Sequence, residues 1–134
     1  MSQFETVSID VESAIKDYLI KIKDFSDVDI RTKILGADCD NKAILIRREG
    51  NFGDFDMNPV DGAKIFIFCR DKTPDDSLNL ALLVRNKLHR VQNITMGDYH
   101  CYSSFIESGP NWFDDNDTQL YGVKMVYNMA FREE

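Results

Sequence analysis

The run "AKIFIFCRDKTPDDSLNLALLVRNKLHRV", Ala63 to Val91, reads as a strand that feeds directly into a helix. Ile65, Phe66, Ile67 and Phe68 are apolar without alternation, the pattern of a strand covered on both faces. That cover comes either from helices of the same domain or from another subunit. Beyond it, Thr73 is a capping residue, Pro74 suits a first helical position, and Asp75 and Asp76 favour the positive end of the helix dipole. The apolar positions Leu78, Leu80, Ala81, Leu82, Leu83, Val84, Leu88 and Val91 span more of the circumference than one sheet contact needs, so part of this helix is expected to meet a partner. The basic cluster from Arg85 to Arg90 falls at the helix end, where cations meet the negative pole of the dipole. It therefore reads as a helix terminus rather than a nucleic-acid patch.

On the N-terminal side, Val11, Ile15, Tyr18, Leu19 and Ile22 recur at helical spacing and predict an amphipathic helix from Ser8 to about Asp24. "IRTKIL" and "KAILIRR", separated by the polar turn "GADCDN", predict a hairpin. A long polar loop follows, from about Glu49 to Gly62. On the C-terminal side, "QNITMGD" reads as a connection and "YHCYSSFI" as a strand. "ESGPNWFDDNDT" reads as a second acidic loop and "QLYGVKMVYNMAFR" as a closing strand. In that last strand Tyr121, Val123, Met125, Tyr127, Met129 and Phe131 alternate, which predicts one buried face, with Lys124 and Asn128 on the wetter one. The expected architecture is α+β in the order α-β-β-β-α-β-β. It is a single domain over 1–134, with two helices packed on a largely antiparallel or mixed sheet.

The composition is that of a folded chain: of 134 residues, 43% are hydrophobic and 29% charged. A net charge of −7 works against nonspecific adhesion to a phosphate backbone. The acidic start "MSQFETVSIDVESA" lacks the basic and apolar stretches of a signal peptide, so synthesis in the cytosol is expected, without a membrane partner. Cys39, Cys69 and Cys101 are odd in number and widely spaced, which predicts reduced thiols. A zinc set from Cys69, His100 and Cys101 lacks a fourth ligand, and neighbours on a strand diverge.

The loop "NFGDFDMNPVDG" places Asp54, Asp56 and Asn58 at alternate positions, as in the first half of an EF-hand. The sixth and twelfth positions, which need a turn residue and a bidentate glutamate, hold Pro59 and Ile65, so no calcium site is expected. His89 and His100 are the only histidines, and no nucleophile elbow or phosphate-binding glycine loop accompanies them. No catalytic, cofactor-binding or metal-ligating residue is assigned. The candidates are instead interaction residues: Phe52, Asp54, Phe55, Asp56, Met57 and Asp61 as an interface or channel loop, and Trp112, Phe113, Asp114, Asp115 and Asp117 as a docking loop. For Trp112 and Phe113 two readings stand, a small satellite core beneath the loop or contact anchors for another protein.

In element order the chain resembles the tail-terminator, or tail-to-head joining, proteins of long-tailed bacteriophages, some of which are called minor capsid or minor tail proteins. The residues that carry the resemblance are "AKIFIFCRDKTPDDSLNLALLVRNKLHRV", "GDYHCYSSF", the acidic loop after it and "QLYGVKMVYNMAF", with Asp61-Gly62 as a turn before the central strand. The resemblance implies a structural virion protein that works without a cofactor or enzymatic activity. It would form a ring, a hexamer on the tail and possibly a monomer alone, that caps the tail tube, stops its polymerisation and meets the head connector. It further implies a place at the head-proximal end of the tail, with DNA only passing through the channel. Other head–tail joint proteins, such as head-completion or tube-related subunits, are the nearest alternative. A small intracellular enzyme or ligand-binding module is the alternative from another class.

Overall fold

The computed structural model describes residues 10–36, 38–51, 60–115 and 120–133. The chain runs α1 (Val11–Ile20), a single 3-10 turn (Lys23–Phe25), β1 (Asp29–Thr32), β2 (Ala43–Asn51), β3 (Asp61–Arg70), α2 (Pro74–Leu88), β4 (Val91–Met96), β5 (Tyr99–Asp115) and β6 (Leu120–Glu133). The six strands form one mixed sheet in the order β1-β2-β3-β6-β5-β4. The expected α+β class holds, with three corrections.

First, β1 and β2 are not a hairpin: they pair in parallel, Asp29 opposite Ala43 through Thr32 opposite Ile46. A parallel partner needs a connection that returns the chain to its starting end, and residues 33–42 supply it. Asp29 pins that return, since its carboxylate accepts from Arg31 Nε and Nη2 at 3.0 Å each and from the Asp40 N–H at 3.0 Å. Second, "QNITMGD" is not a bare connection but contains most of β4, which turns into β5 through the two-residue turn Gly97–Asp98. Gly97 has φ 58°, and a Cβ there would lie 3.1 Å from the Ala14 Cα, so glycine serves both the turn and the close approach of α1. Third, "ESGPNWFDD" is strand, not loop. β5 passes through it to Asp115 while absorbing Gly109-Pro110 in a bulge between the pairs Ser108–Val126 and Asn111–Lys124.

Two more bulges, at Cys101/Ser103 and Ile106/Ser108, also give β5 an extra residue relative to β6. Each extra residue bends and twists the strand. The sheet curls until β1 and β2 at one edge and β4 at the other all rest on α1. Inside the curl lies the main core. Val11, Ala14, Ile15 and Leu19 of α1 and Leu80, Ala81, Val84 and Leu88 of α2 meet Ile44, Ile46, Ile65, Ile67 and the alternating Val123–Phe131 series of β6. Full burial of one such aliphatic side chain contributes about 1.5–3 kcal/mol. Tyr18 ties the helices together, its hydroxyl donating to the Lys87 carbonyl at 3.2 Å.

α2 starts as the sequence predicts, whereas α1 begins at Val11 rather than at Ser8. Asp10 caps α1 by accepting from the Ser13 N–H, Thr73 caps α2 by accepting from the Asp76 N–H, and Pro74 is the first helical residue. α1 stops at Ile20 rather than Asp24 and continues as the 3-10 turn, which buries Phe25. The uniformly apolar run of β3 is covered within the chain: Ile65, Ile67 and Cys69 face the helices, while Phe66 and Phe68 join Leu45, Leu35 and Phe113 on the other side.

Candidate functional site

The strand ends that bound the two acidic segments singled out in the sequence stand apart. Asp61 pairs with Phe131 and Cys69 with Val123, so Asn51 and Asp61, which bound the first segment, stand at the end of the sheet where β6 finishes, and Asp115 and Leu120, which bound the second, stand where β6 begins. At roughly 3.3 Å per residue, the ten residues of β3 set the two ends about 30 Å apart.

At the first end, Phe52, Asp54, Phe55, Asp56 and Met57 lie outside the described residues. Asp61 is not in a loop but is the first residue of β3, and its carboxylate takes a two-pronged grip on Arg48 of β2, Oδ2 on Nη1 and Oδ1 on Nη2, each at 2.8 Å. Asp61 raises the Arg48 pKa further above its ordinary value by favouring the guanidinium form. The Arg48 backbone N–H donates to Glu12 Oε2 at 3.1 Å, and Glu12 Oε1 also holds Lys33 at 2.9 Å, so this cluster fastens α1 to the sheet. Asp61 is thereby part of the structural frame and its carboxylate is engaged.

At the second end the strand correction separates Trp112 from Phe113, because neighbours on a strand point to opposite faces. Phe113 turns inward on the helix-free side, edge-on to Phe66 at 6.1 Å and to Phe68 at 5.9 Å between centroids. Trp112 points to the helix side and stays 50% exposed, with Tyr121 beside it on β6 at 45%. Asp114 is exposed opposite Tyr121, Asp115 pairs with Leu120, and Asp117 lies outside the described residues. Beyond the last β3 pair the β5–β6 hairpin continues through Phe113–Gly122, Asp114–Tyr121 and Asp115–Leu120. α2 begins at this end and leaves Leu78 and Leu82 exposed, the excess apolar surface expected from its sequence.

The surface that the sequence reading missed is the helix-free face of the sheet. Three cations there lie over aromatic rings: Arg47 over Phe66 at 4.8 Å, Lys124 over Phe113 at 5.3 Å and Arg132 over Tyr102 at 5.8 Å. The i, i+4, i+8 spacing of Lys124, Asn128 and Arg132 on the polar side of the last strand was the available signal. Asn128 is only 8% exposed, less wet than alternation predicts, because its side-chain amide donates to Glu107 Oε1 at 3.1 Å while Lys64 holds the same oxygen at 2.8 Å. The Lys64 bond keeps the Glu107 carboxyl below its usual range.

Cys69 and His100 stand on different strands, and His100 and Cys101 point to opposite faces. Among the described residues no three of His, Cys, Asp and Glu stand close enough to share a metal ion. Burial pushes the Cys101 thiol up to about 12 and that of Cys69 higher still, away from nucleophilic chemistry at neutral pH. Among the described residues no helix is long and apolar enough to cross a membrane. No protein-family profile matches the sequence, and no curated protein aligns with it.

Proposed function

We propose that this chain is a structural subunit of a long-tailed bacteriophage, a tail terminator that forms a ring on the finished tail tube, stops its polymerisation and presents a surface to the head connector or a head-completion protein. The observation that supports the reading is that the strand ends flanking the two acidic segments stand at opposite ends of one sheet. A joint must meet two different partners at once. A subunit whose Asn51–Asp61 end and Trp112–Tyr121 end differ in residues, and stand about 30 Å apart along the strands, has that polarity built into its fold.

Trp112 and Tyr121 are the second support. Half-exposed aromatics are the side chains that most often anchor protein contacts, since they bury a large apolar area for little lost rotamer freedom. Under this reading the acids at 54–56 and 114–117 face the channel or an axial neighbour. In the channel their charge repels phosphate, so that DNA passes without adhering. The work is mechanical: the ring closes one end of a polymer and offers another surface in its place.

The test is to add the purified protein to purified tail tubes and image the tube ends. Extra density at one end of each tube is expected, with Trp112 emission moving to the blue as its ring is covered. Bare ends at protein concentrations well above micromolar would overturn the terminator reading.

A further inference from the structure

We infer that the exposed stripe of α2 is the seat for a second copy of this chain, whose own α2 lies against it antiparallel across a twofold axis. The inference goes beyond the tail-tube reading and does not depend on it.

α2 buries Ser77, Leu80, Ala81, Val84 and Leu88 against the sheet. Asp75, Leu78, Leu82 and Arg85 follow one another at spacings of three, four and three residues, the a/d spacing of a coiled-coil seam, so they share one line along the helix. All four are exposed, Leu78 at 41% and Leu82 at 37%. The line ends at His89, whose Nδ1 turns in to accept from the Ile106 N–H of β5 at 3.1 Å. The helix dipole accounts for an acid in the first turn and a cation in the last. It gives no reason for two leucines held in water on the line that joins them, and covering them is favourable.

Charge complementarity selects the occupant. The stripe runs acid, leucine, leucine, base, and among the described residues Asp75 and Arg85 enter no ion pair. A twofold rotation about the level of Leu80 turns the same stripe end for end. Asp75 and Arg85 stand five residues to either side of Leu80, and Leu78 and Leu82 two residues, so one rotation sets both pairs in register. Asp75 then meets the partner's Arg85, and Leu78 meets the partner's Leu82. A parallel pair would set acid on acid and base on base. A polyanion or a uniformly basic segment would satisfy one end of the stripe and be repelled by the other. Like charge elsewhere on the two copies is screened beyond about 8 Å at physiological ionic strength. The contact is isologous and closes on itself, so assembly through it stops at two. Two leucines from each copy make a small seam, and the dimer is weak, with Kd between about 10 μM and 1 mM.

The experiment is analytical ultracentrifugation of the full chain over a concentration series spanning that range, for the wild type and three variants: Leu78→Glu with Leu82→Glu, Asp75→Arg, and Arg85→Asp. The wild type is expected to pass from monomer to dimer, and the leucine variant to dissociate at least tenfold more readily. Each charge variant alone should be about tenfold weaker, because the rotation makes both end contacts repulsive. An equimolar mixture of the two charge variants should dimerise as the wild type does, since opposite charges then meet at both ends. Circular dichroism checks the fold of each variant. Should Asp75→Arg disturb the start of α2, Asp75→Asn takes its place and, mixed with Arg85→Asp, should recover one of the two end contacts. A monomer throughout the range, a leucine variant that associates like the wild type, an assembly that passes beyond two, or charge variants that do not rescue each other on mixing would each overturn the inference. Bare tube ends, by contrast, bear only on the terminator reading.

Discussion

Replacing Gly122 by alanine should destabilise the protein, although propensity alone argues the reverse. Exchanging a strand glycine for alanine removes freedom from the unfolded chain and ordinarily stabilises by about 0.5–1 kcal/mol. At Gly122 the new Cβ would lie 2.4 Å from the Cys69 carbonyl oxygen and 2.8 Å from Phe68 Cζ. Neither neighbour yields cheaply. The carbonyl belongs to β3, which is paired on both sides, and the Phe68 ring is fully buried against Phe113. Forcing one methyl into such a site costs about 1–3 kcal/mol, which less the entropic gain leaves about 0–2.5 kcal/mol, and the 2.4 Å approach to a paired backbone carbonyl puts the net loss in the upper part, roughly 1–2 kcal/mol. For a chain of this length that lowers Tm by about 3–10 °C. Gly50→Ala is the control, since a Cβ there meets nothing within 4 Å and the substitution should be neutral or mildly stabilising. Urea unfolding of both variants, followed by circular dichroism, decides the matter. A Gly122→Ala protein as stable as the wild type would refute the packing described for the helix-free face.

Thiol reagents at pH 8 should label Cys39 alone in the native protein, and Cys69 and Cys101 only in denaturant, because burial raises both of their pKa values; three fast thiols would contradict the placement of β3 and β5. The Asp29 carboxyl is held below its ordinary value, first by its hydrogen bonds from Arg31 and then by the Asp40 N–H, so its contribution is complete above the unfolded pKa near about 4. That contribution is lost as pH falls through the lower folded value. Asp29→Asn should therefore weaken the protein at pH 7 and flatten the decline of its urea midpoint below about pH 4. Asp61→Ala leaves the half-buried Arg48 without its two-pronged partner and should cost about 1–2 kcal/mol in urea unfolding. An unchanged midpoint would show Asp61 to be dispensable to the frame.

Period and capping were legible without a structure. The alternation from Tyr121 to Phe131, the two-sided run Ile65–Phe68 and the Thr73-Pro74 start each depend on contacts within a few residues, and each stands where the sequence puts it, except that Tyr121 lies past the core and stays exposed. The exposure of Leu78 and Leu82 followed from counting the apolar positions of one helix. Partner choice was not legible, because it depends on chain paths longer than any local pattern. "GADCDN" looks like a hairpin turn, but the chain returns to the starting end of β1 before β2 begins, so the pairing is parallel, and the Asp29 carboxylate holds that return through Arg31 and the Asp40 N–H. Gly109-Pro110 looks like the middle of a loop, but β6 already offers a ladder on which β5 needs only one bulge to continue. That continuation puts Trp112 and Phe113 on opposite faces, a separation that a loop does not impose. Composition alone gave the net charge of −7. Only the curled sheet gathers Arg47, Lys124 and Arg132 over their rings on one face, because strand register brings together residues far apart in sequence.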